Sequence, residues 1–284
     1  MARTTRTLAG WSSGAEGSPH VRPVTPGQDL RSAARVQHQL LPPSLYTGRY
    51  IDLAAKASPC RVVGGDFFDY QDTSGQFRLA LGDVCGNGAP AALHAALVQG
   101  LLALEAEGND GAASAMAHLN RALCRRAIPG RFVTLFIGLV TPEGRLSYCN
   151  AGQCCPILVN HRSVRDLTAG GIPLGLFPDA TYEEESLAMV PGDTLVVFSD
   201  GVTEAQGRAE NPNEEFGDMR VLEAVREHPE ATASAVLDHL LAKLRGFARQ
   251  RQQRDDATAL VMRYLGEREH EVVSCQPGAD SRLV

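Results

Sequence analysis

LALGDVCGNGAPAALHAALVQGLL, residues 79 to 102, runs from an apolar strand into a helix through a turn that starts with a carboxylate. Leu79, Ala80 and Leu81 lead to Asp83, then Gly86 and Gly88 supply a flexible turn, and Pro90 opens a long Ala/Leu segment. An aspartate at such a point is either a turn cap or an oxygen ligand for a cation. Taken alone, the stretch does not choose between these. Three other stretches repeat it. VVGGDFFDY, residues 62 to 70, sets Gly64 and Gly65 before Asp66, with Asp69 three places on. LVVFSDGVTEA, residues 195 to 205, ends an apolar run in Ser199, Asp200 and Gly201. RQQRDDATALVM, residues 251 to 262, puts Asp255 and Asp256 directly before an apolar strand.

Asp66 and Asp83 sit at the ends of two strands joined by the turn signal DTSG, residues 72 to 75, so hairpin pairing brings them to neighbouring positions. Carboxylates gathered this way repel one another unless cations offset them. Hard divalent ions such as Mg²⁺ and Mn²⁺ bind carboxylate, carbonyl and water oxygens. The eight histidines are scattered, and there is no CxxC to suggest zinc. The seven cysteines read as inert, mostly buried thiols in a reducing compartment.

The rest of the chain gives the frame. Residues 1 to 28 are rich in small and polar residues and read as a flexible lead-in. DLRSAARVQHQLL, residues 29 to 41, carries apolar positions at Ala33, Val36, Leu40 and Leu41, a short amphipathic helix stopped by Pro42 and Pro43. Strands are expected at 50–57, 66–70, 76–81, 131–140, 145–152, 155–160, 194–199 and 257–265. Helices are expected at 90–106, 113–126, 219–227 and 232–245, with a break at Gly170, Gly171 and Pro173. This order predicts one α+β domain over 29–266, helices covering antiparallel sheets, followed by a polar tail, 267–284. GxGxxG and GxxxxGK[ST] are both absent, which removes the common phosphate-cradling loops.

A net charge of −6 and 6% aromatic residues argue against nucleic acid as the main partner. No apolar run approaches the roughly 18 residues of a spanning helix, and the N-terminal stretch lacks the apolar core of a secretory signal. A cytoplasmic protein without membrane attachment is expected.

With ARVQHQLLPP, VVGGDFFDY, LALGDVCGNGAPAAL, LNRAL, GRFVTLFIGLV, LSYCNAGQCCPILV, GGIPLGL, GDTLVVFSDGVTEA, the FG at Phe216–Gly217 and RDDATALVMRY in this order, the chain resembles the metal-dependent, type-2C-like protein serine/threonine phosphatases (PPM), in their bacterial SpoIIE/RsbU-like branch. The likeness covers residues 33 to 264. It implies an α-β-β-α sandwich with two central antiparallel sheets, and two Mn²⁺ or Mg²⁺ ions at one edge that activate water for hydrolysis of a protein phosphomonoester. Matched position by position, it implies Asp83 bridging the ions, the backbone carbonyl of Val84 and Asp66 on one of them, and Asp200 and Asp255 on the other. Asp69, Asn87, Gln153 and Asp256 are assigned to a second shell or to substrate contact, and Arg35 and Gln37 on the first helix to regulation. The implied substrate is a phosphorylated anti-anti-sigma factor. Control is expected from a separate regulatory protein or from self-association as a homodimer.

Two positions depart from the family pattern. Its GHG reads Gly86–Asn87–Gly88, and its NAGH ends in Gln153. Neither side chain titrates near neutral pH. These departures leave open a catalytically weak phosphatase-like signalling protein; a small-molecule phosphomonoesterase is a separate alternative to the protein phosphatase.

Overall fold

The computed structural model describes residues 25–73, 75–105, 111–126, 128–207, 214–229, 231–249 and 251–267. The lead-in before residue 25 and the tail after 267 lie outside them, as do residues 208–213 of the polar loop. In chain order the elements are α1 (Pro26–Leu40), β1 (Leu45–Thr47), β2 (Ile51–Ser58), β3 (Phe67–Thr73), β4 (Gln76–Val84), α2 (Ala89–Glu105), α3 (Ala112–Cys124), β5 (Val133–Val140), β6 (Arg145–Ala151), β7 (Ile157–Val159), β8 (Val164–Asp166), β9 (Gly170–Gly171), β10 (Glu185–Ala188), β11 (Thr194–Phe198), α4 (Asp200–Thr203), α5 (Gly217–Arg226), α6 (Ala233–Phe247) and β12 (Ala257–Tyr264).

They form two six-stranded sheets. One has the order β1-β2-β12-β11-β7-β8; the other runs β10-β6-β5-β4-β3, with β9 added beside β6. All pairings are antiparallel except β6 with β9. The Gly170–Gly171 break is thus also a two-residue strand, paired to Asn150 and Ala151. Strands β8 and β10 escape the sequence reading because they are short and carry exposed residues.

Strand β4 shows why the layers stack as they do. Phe77, Leu79 and Leu81 point into a core shared by both sheets, together with Leu53, Phe68, Phe136, Tyr148, Leu195, Val197 and Leu260. Ala80 and Val84 point the other way, into a core made with Ala95, Val98, Met116 and Leu119 of α2 and α3. Both faces of the strand are apolar because both are covered. On the second sheet Val196, Phe198, Ala259 and Val261 face Val221, Val225, Val236 and Leu240 of α5 and α6. The resulting order is helices, sheet, sheet, helices. No described helix is long and apolar enough to cross a membrane.

The same alternation sets up the site. A strand that is apolar on both faces can present polar chemistry only at its ends, and the acids lie there. Asp83 falls on the last turn of the β4 ladder, Asp66 directly before β3, Asp200 just after β11, and Asp255 and Asp256 just before β12.

Candidate metal centre

The β3–β4 register pairs Phe67 with Gly82, so the next step places Asp66 opposite Asp83, as the hairpin argument expects. On the second sheet, β11 and β12 pair Phe198 with Ala259, which brings the residues after one strand beside those before the other. Ser199 joins the two sheets. Its fully buried hydroxyl donates to Asp66 Oδ2 at 2.7 Å and accepts from the Thr258 backbone N–H at 2.9 Å. Gly201 makes the close approach possible, since a Cβ there would stand 1.9 Å from the backbone oxygen of Asp256.

Asp66, Asp83, Asp200, Asp255 and Asp256 share one electrostatic neighbourhood. Burial raises the Asp66 carboxyl well above the ordinary carboxylate range, and the charge of Asp83 adds to this. Asp83 is pushed up to about 7, first by burial and then by Asp200, with Asp255 and Asp256 contributing. Asp200 is raised by burial and then by Asp255. Among the described residues no lysine or arginine forms an ion pair with any of the five. Asp66 Oδ1 and Asp200 Oδ1 are buried with no hydrogen-bond partner. A buried acceptor left this way costs about 1–3 kcal/mol, more when charged. Hard cations would satisfy these oxygens and offset the repulsion, so the donor set fits Mg²⁺ or Mn²⁺.

The ligand atoms of Cys60, Asp255 and Asp256 all lie within 4.8 Å of one another, a group able to hold a single cation. Cys60 is a residue the sequence reading set aside as an inert thiol. Its sulfhydryl is pushed up to about 11, by burial and then by Asp256, which keeps it protonated and a poor partner for a hard ion. Asp256 uses both oxygens on backbone: Oδ1 accepts from Cys60 N–H at 2.7 Å and Oδ2 from Gly65 N–H at 2.6 Å. It therefore anchors the loop between β2 and β3. Asp255 is exposed at the rim.

The other singled-out residues separate clearly. Val84 is fully buried at the end of β4. Asn87 is half-buried in a turn where Gly86 and Gly88 take φ of 90° and 74°, the left-handed region that glycine tolerates. Arg131 Nη1 donates to the Cys85 carbonyl at 2.8 Å and so clasps this turn. Gln153 is buried behind Asp83. Its Oε1 lies 3.3 Å from the Thr134 hydroxyl, which is itself 3.4 Å from the Asp83 carbonyl oxygen, while its Nε2 is buried without a partner. Gln37 reaches from α1 to Gly64, donating to its carbonyl at 2.6 Å and accepting from its N–H at 3.2 Å. Among the described residues Arg35 bonds only Ser32 of its own helix, at 3.1 Å.

Asp69 stands apart from the cluster. It borders a separate cavity of about 140 Å³ with Arg78 and Leu102, accepts from the Tyr70 N–H at 2.8 Å and is pushed up to about 6 by burial. Three residues along a strand is about 10 Å, which carries it away from Asp66. The sequence reading gave no role to Ser199, Thr134, Cys60 or Arg131. For Ser199 a signal exists: a small hydroxyl directly before the acid, at the end of a strand apolar on both faces.

Two sheets between helices, with carboxylates gathered where the strand ends meet, define the type-2C phosphatase architecture. Residues 73–265 match the model of the SpoIIE family, "Stage II sporulation protein E", and the chain belongs to that family. It is 28% identical over 241 residues to the phosphoserine phosphatase RsbU of Bacillus subtilis, covering 83% of this chain and 70% of RsbU. It is 27% identical over 265 residues to protein IcfG of Synechocystis, covering 82% of this chain but only 41% of IcfG. The SiaA-PP2C domain of Pseudomonas aeruginosa superposes with a TM-score of 0.73 at 23% identity, covering 84% of this chain and 96% of that domain.

Proposed function

We propose that the protein is a metal-dependent phosphatase that removes phosphate from phosphoserine or phosphothreonine on a cytoplasmic protein. The observation that carries this reading is the carboxylate cluster itself: buried acids with orphaned oxygens and no paired cation, on a phosphatase fold. Two ions are proposed, held by Asp66, Asp83, the Val84 carbonyl, Asp200 and Asp255. When bound, such ions acidify water and neutralise the charge of a transferring phosphoryl group. The protein's own part is positioning. Ser199 orients Asp66, Asp256 fixes the adjoining loop, and Thr134 with Gln153 braces the strand end that carries Asp83. Arg131 holds the turn after Asp83 through its bond to the Cys85 carbonyl.

The phosphoserine activity in RsbU's name supports the choice of substrate, and an anti-anti-sigma factor is the proposed partner. The Gln37–Gly64 bonds connect α1 to the loop that Asp256 anchors, and this supports α1 as the point where a regulatory protein or a second copy acts. A weakly catalytic signalling protein is the second reading. It is favoured by Asn87 and Gln153, which leave this part of the site without an imidazole.

Phosphate release from a phosphoserine peptide, with Mn²⁺, with Mg²⁺ and with chelator, tests the proposal. Activity should require metal and should fall by about three orders of magnitude in D83N and D255N, the scale of several kcal/mol that a catalytic ion contributes. Inert wild type that still binds metal supports the second reading. Variants as active as wild type contradict both the site and the activity.

A further inference from the structure

A cavity of about 490 Å³ opens beside the carboxylate cluster, sharing Asp255 and Gly201 with it. Its walls come from the end of α4, the C-terminal end of α6 and the segment leading to β12. Arg245, Arg249, Arg251 and Arg254 line it, in a chain whose net charge is −6. Among the described residues none of these four guanidinium groups has an ion pair or hydrogen bond. Arg251 Nε is buried without an acceptor. Folding a donor into that position is unfavourable unless an acceptor arrives from outside, so the cavity is built for an anionic guest.

The chemistry narrows the guest. Guanidinium forks match carboxylate and phosphate oxygens alike, and with the phosphoryl group at the carboxylate cluster it is the carboxylates of neighbouring side chains that are left for the cavity. The apolar part of the lining comes from Ala205, Leu244, Ala248 and Ala257, and no aromatic ring lines the cavity on which a nucleobase would stack. Glu204 and Glu215 contribute carboxylates to the α4 side, which would repel an acidic segment toward the arginines. The volume suits a few side chains, within the ordinary range for ligand clefts. Because Asp255 belongs to both places, a chain whose phosphorylated residue occupies the cluster has its neighbouring residues at the mouth of this cavity.

We propose that the arginine-lined cavity receives acidic side chains that flank the phosphorylated residue of the protein substrate. This rests on the phosphatase reading and adds to it a substrate preference set away from the metal ligands. The test compares two phosphoserine peptides of equal length, one with glutamates flanking the phosphoserine and one with glutamines, on wild type, R249Q/R251Q and R254Q, with p-nitrophenyl phosphate alongside.

Wild type should favour the acidic peptide by about five- to tenfold in kcat/KM, mostly through KM, as two or three partly exposed ion pairs allow. R249Q/R251Q should lose that preference, and R254Q should weaken it, both keeping wild-type turnover of p-nitrophenyl phosphate. Equal use of both peptides by wild type overturns the proposal. So does a variant that slows every substrate alike, since this marks a structural role, or one that raises KM for p-nitrophenyl phosphate, since the arginines then hold the phosphoryl group itself. If wild type hydrolyses nothing, the phosphatase reading fails separately, and fluorescence anisotropy of the labelled acidic peptide decides the docking claim. Weaker binding by R249Q/R251Q supports it; unchanged binding overturns it.

Discussion

The two sheets contribute unlike halves to one site. Asp66, on the β3–β4 side, is buried and Asp83 beside it half-buried, and burial holds both carboxyls well above the normal range. Asp255, on the β12 side, stands exposed at the rim beside the arginine cavity. The difference suggests a division of labour. The Asp66–Asp83 half gathers carboxylates whose mutual repulsion protons or cations would relieve. In the other half only Asp255 lies open, its neighbour Asp256 being buried, and that exposed edge gives a large substrate room to approach. Ser199 is the fixed point between them, bonded to Asp66 on one sheet and to Thr258 on the other.

The largest expected effect comes from the charge imbalance. Burial and then the charge of Asp200 push the Asp83 carboxyl up to about 7, against about 3.9 for an unfolded aspartate. Between those values the metal-free folded state holds more protons than the unfolded state. The contribution of Asp83 to stability is therefore full below about pH 4 and is lost as pH rises through 7. Thermal melts of chelated protein should give a lower Tm at pH 8 than at pH 5. Mn²⁺ should remove most of that difference by taking over the protons' role, and should do little in D83N. A chelated Tm that is flat or rising across this range breaks the contrast between the halves.

Ser199 should come next. In S199A the Thr258 N–H and Asp66 Oδ2 each lose a partner, a destabilisation of about 1–3 kcal/mol read by denaturant unfolding. Metal affinity should fall by about ten- to a hundredfold, as when a group orienting a ligand is removed. A loss of stability with unchanged metal affinity would show that Ser199 only joins the sheets. Gln37 should have the smallest effect. Q37A removes two hydrogen bonds to the loop backbone, worth about 1 kcal/mol each, and should raise the Mn²⁺ concentration needed for half-maximal activity while leaving the maximal rate near that of wild type. If the maximal rate falls instead, α1 does more than stabilise the metal-ready loop.

The long elements and the layer order were legible because β4, β5 and β12 are apolar on both faces and α2 and α3 carry small apolar residues where they meet the sheet. Five of the acids were legible for the same reason, since a charge at the end of such a strand stands out. What stayed hidden depended on distances that sequence spacing does not encode. Cys60 meets Asp256 across 196 residues through a backbone bond, and Gln37 meets Gly64 through a loop. Asp69, which the resemblance assigns to a second shell or to substrate contact, instead borders another cavity. The arginines at 245, 249, 251 and 254 drew no notice in the sequence, because nothing in their spacing tells that they surround one space.

Isothermal titration of the chelated protein with Mn²⁺ at pH 7, in two buffers of different ionisation enthalpy, tests the central claim most directly. The account predicts two ions bound per chain, release of protons from the Asp66–Asp83 pair on binding, and loss of both signals in D83N. No binding, or one ion that D83N leaves in place on the Cys60, Asp255 and Asp256 group, would contradict it.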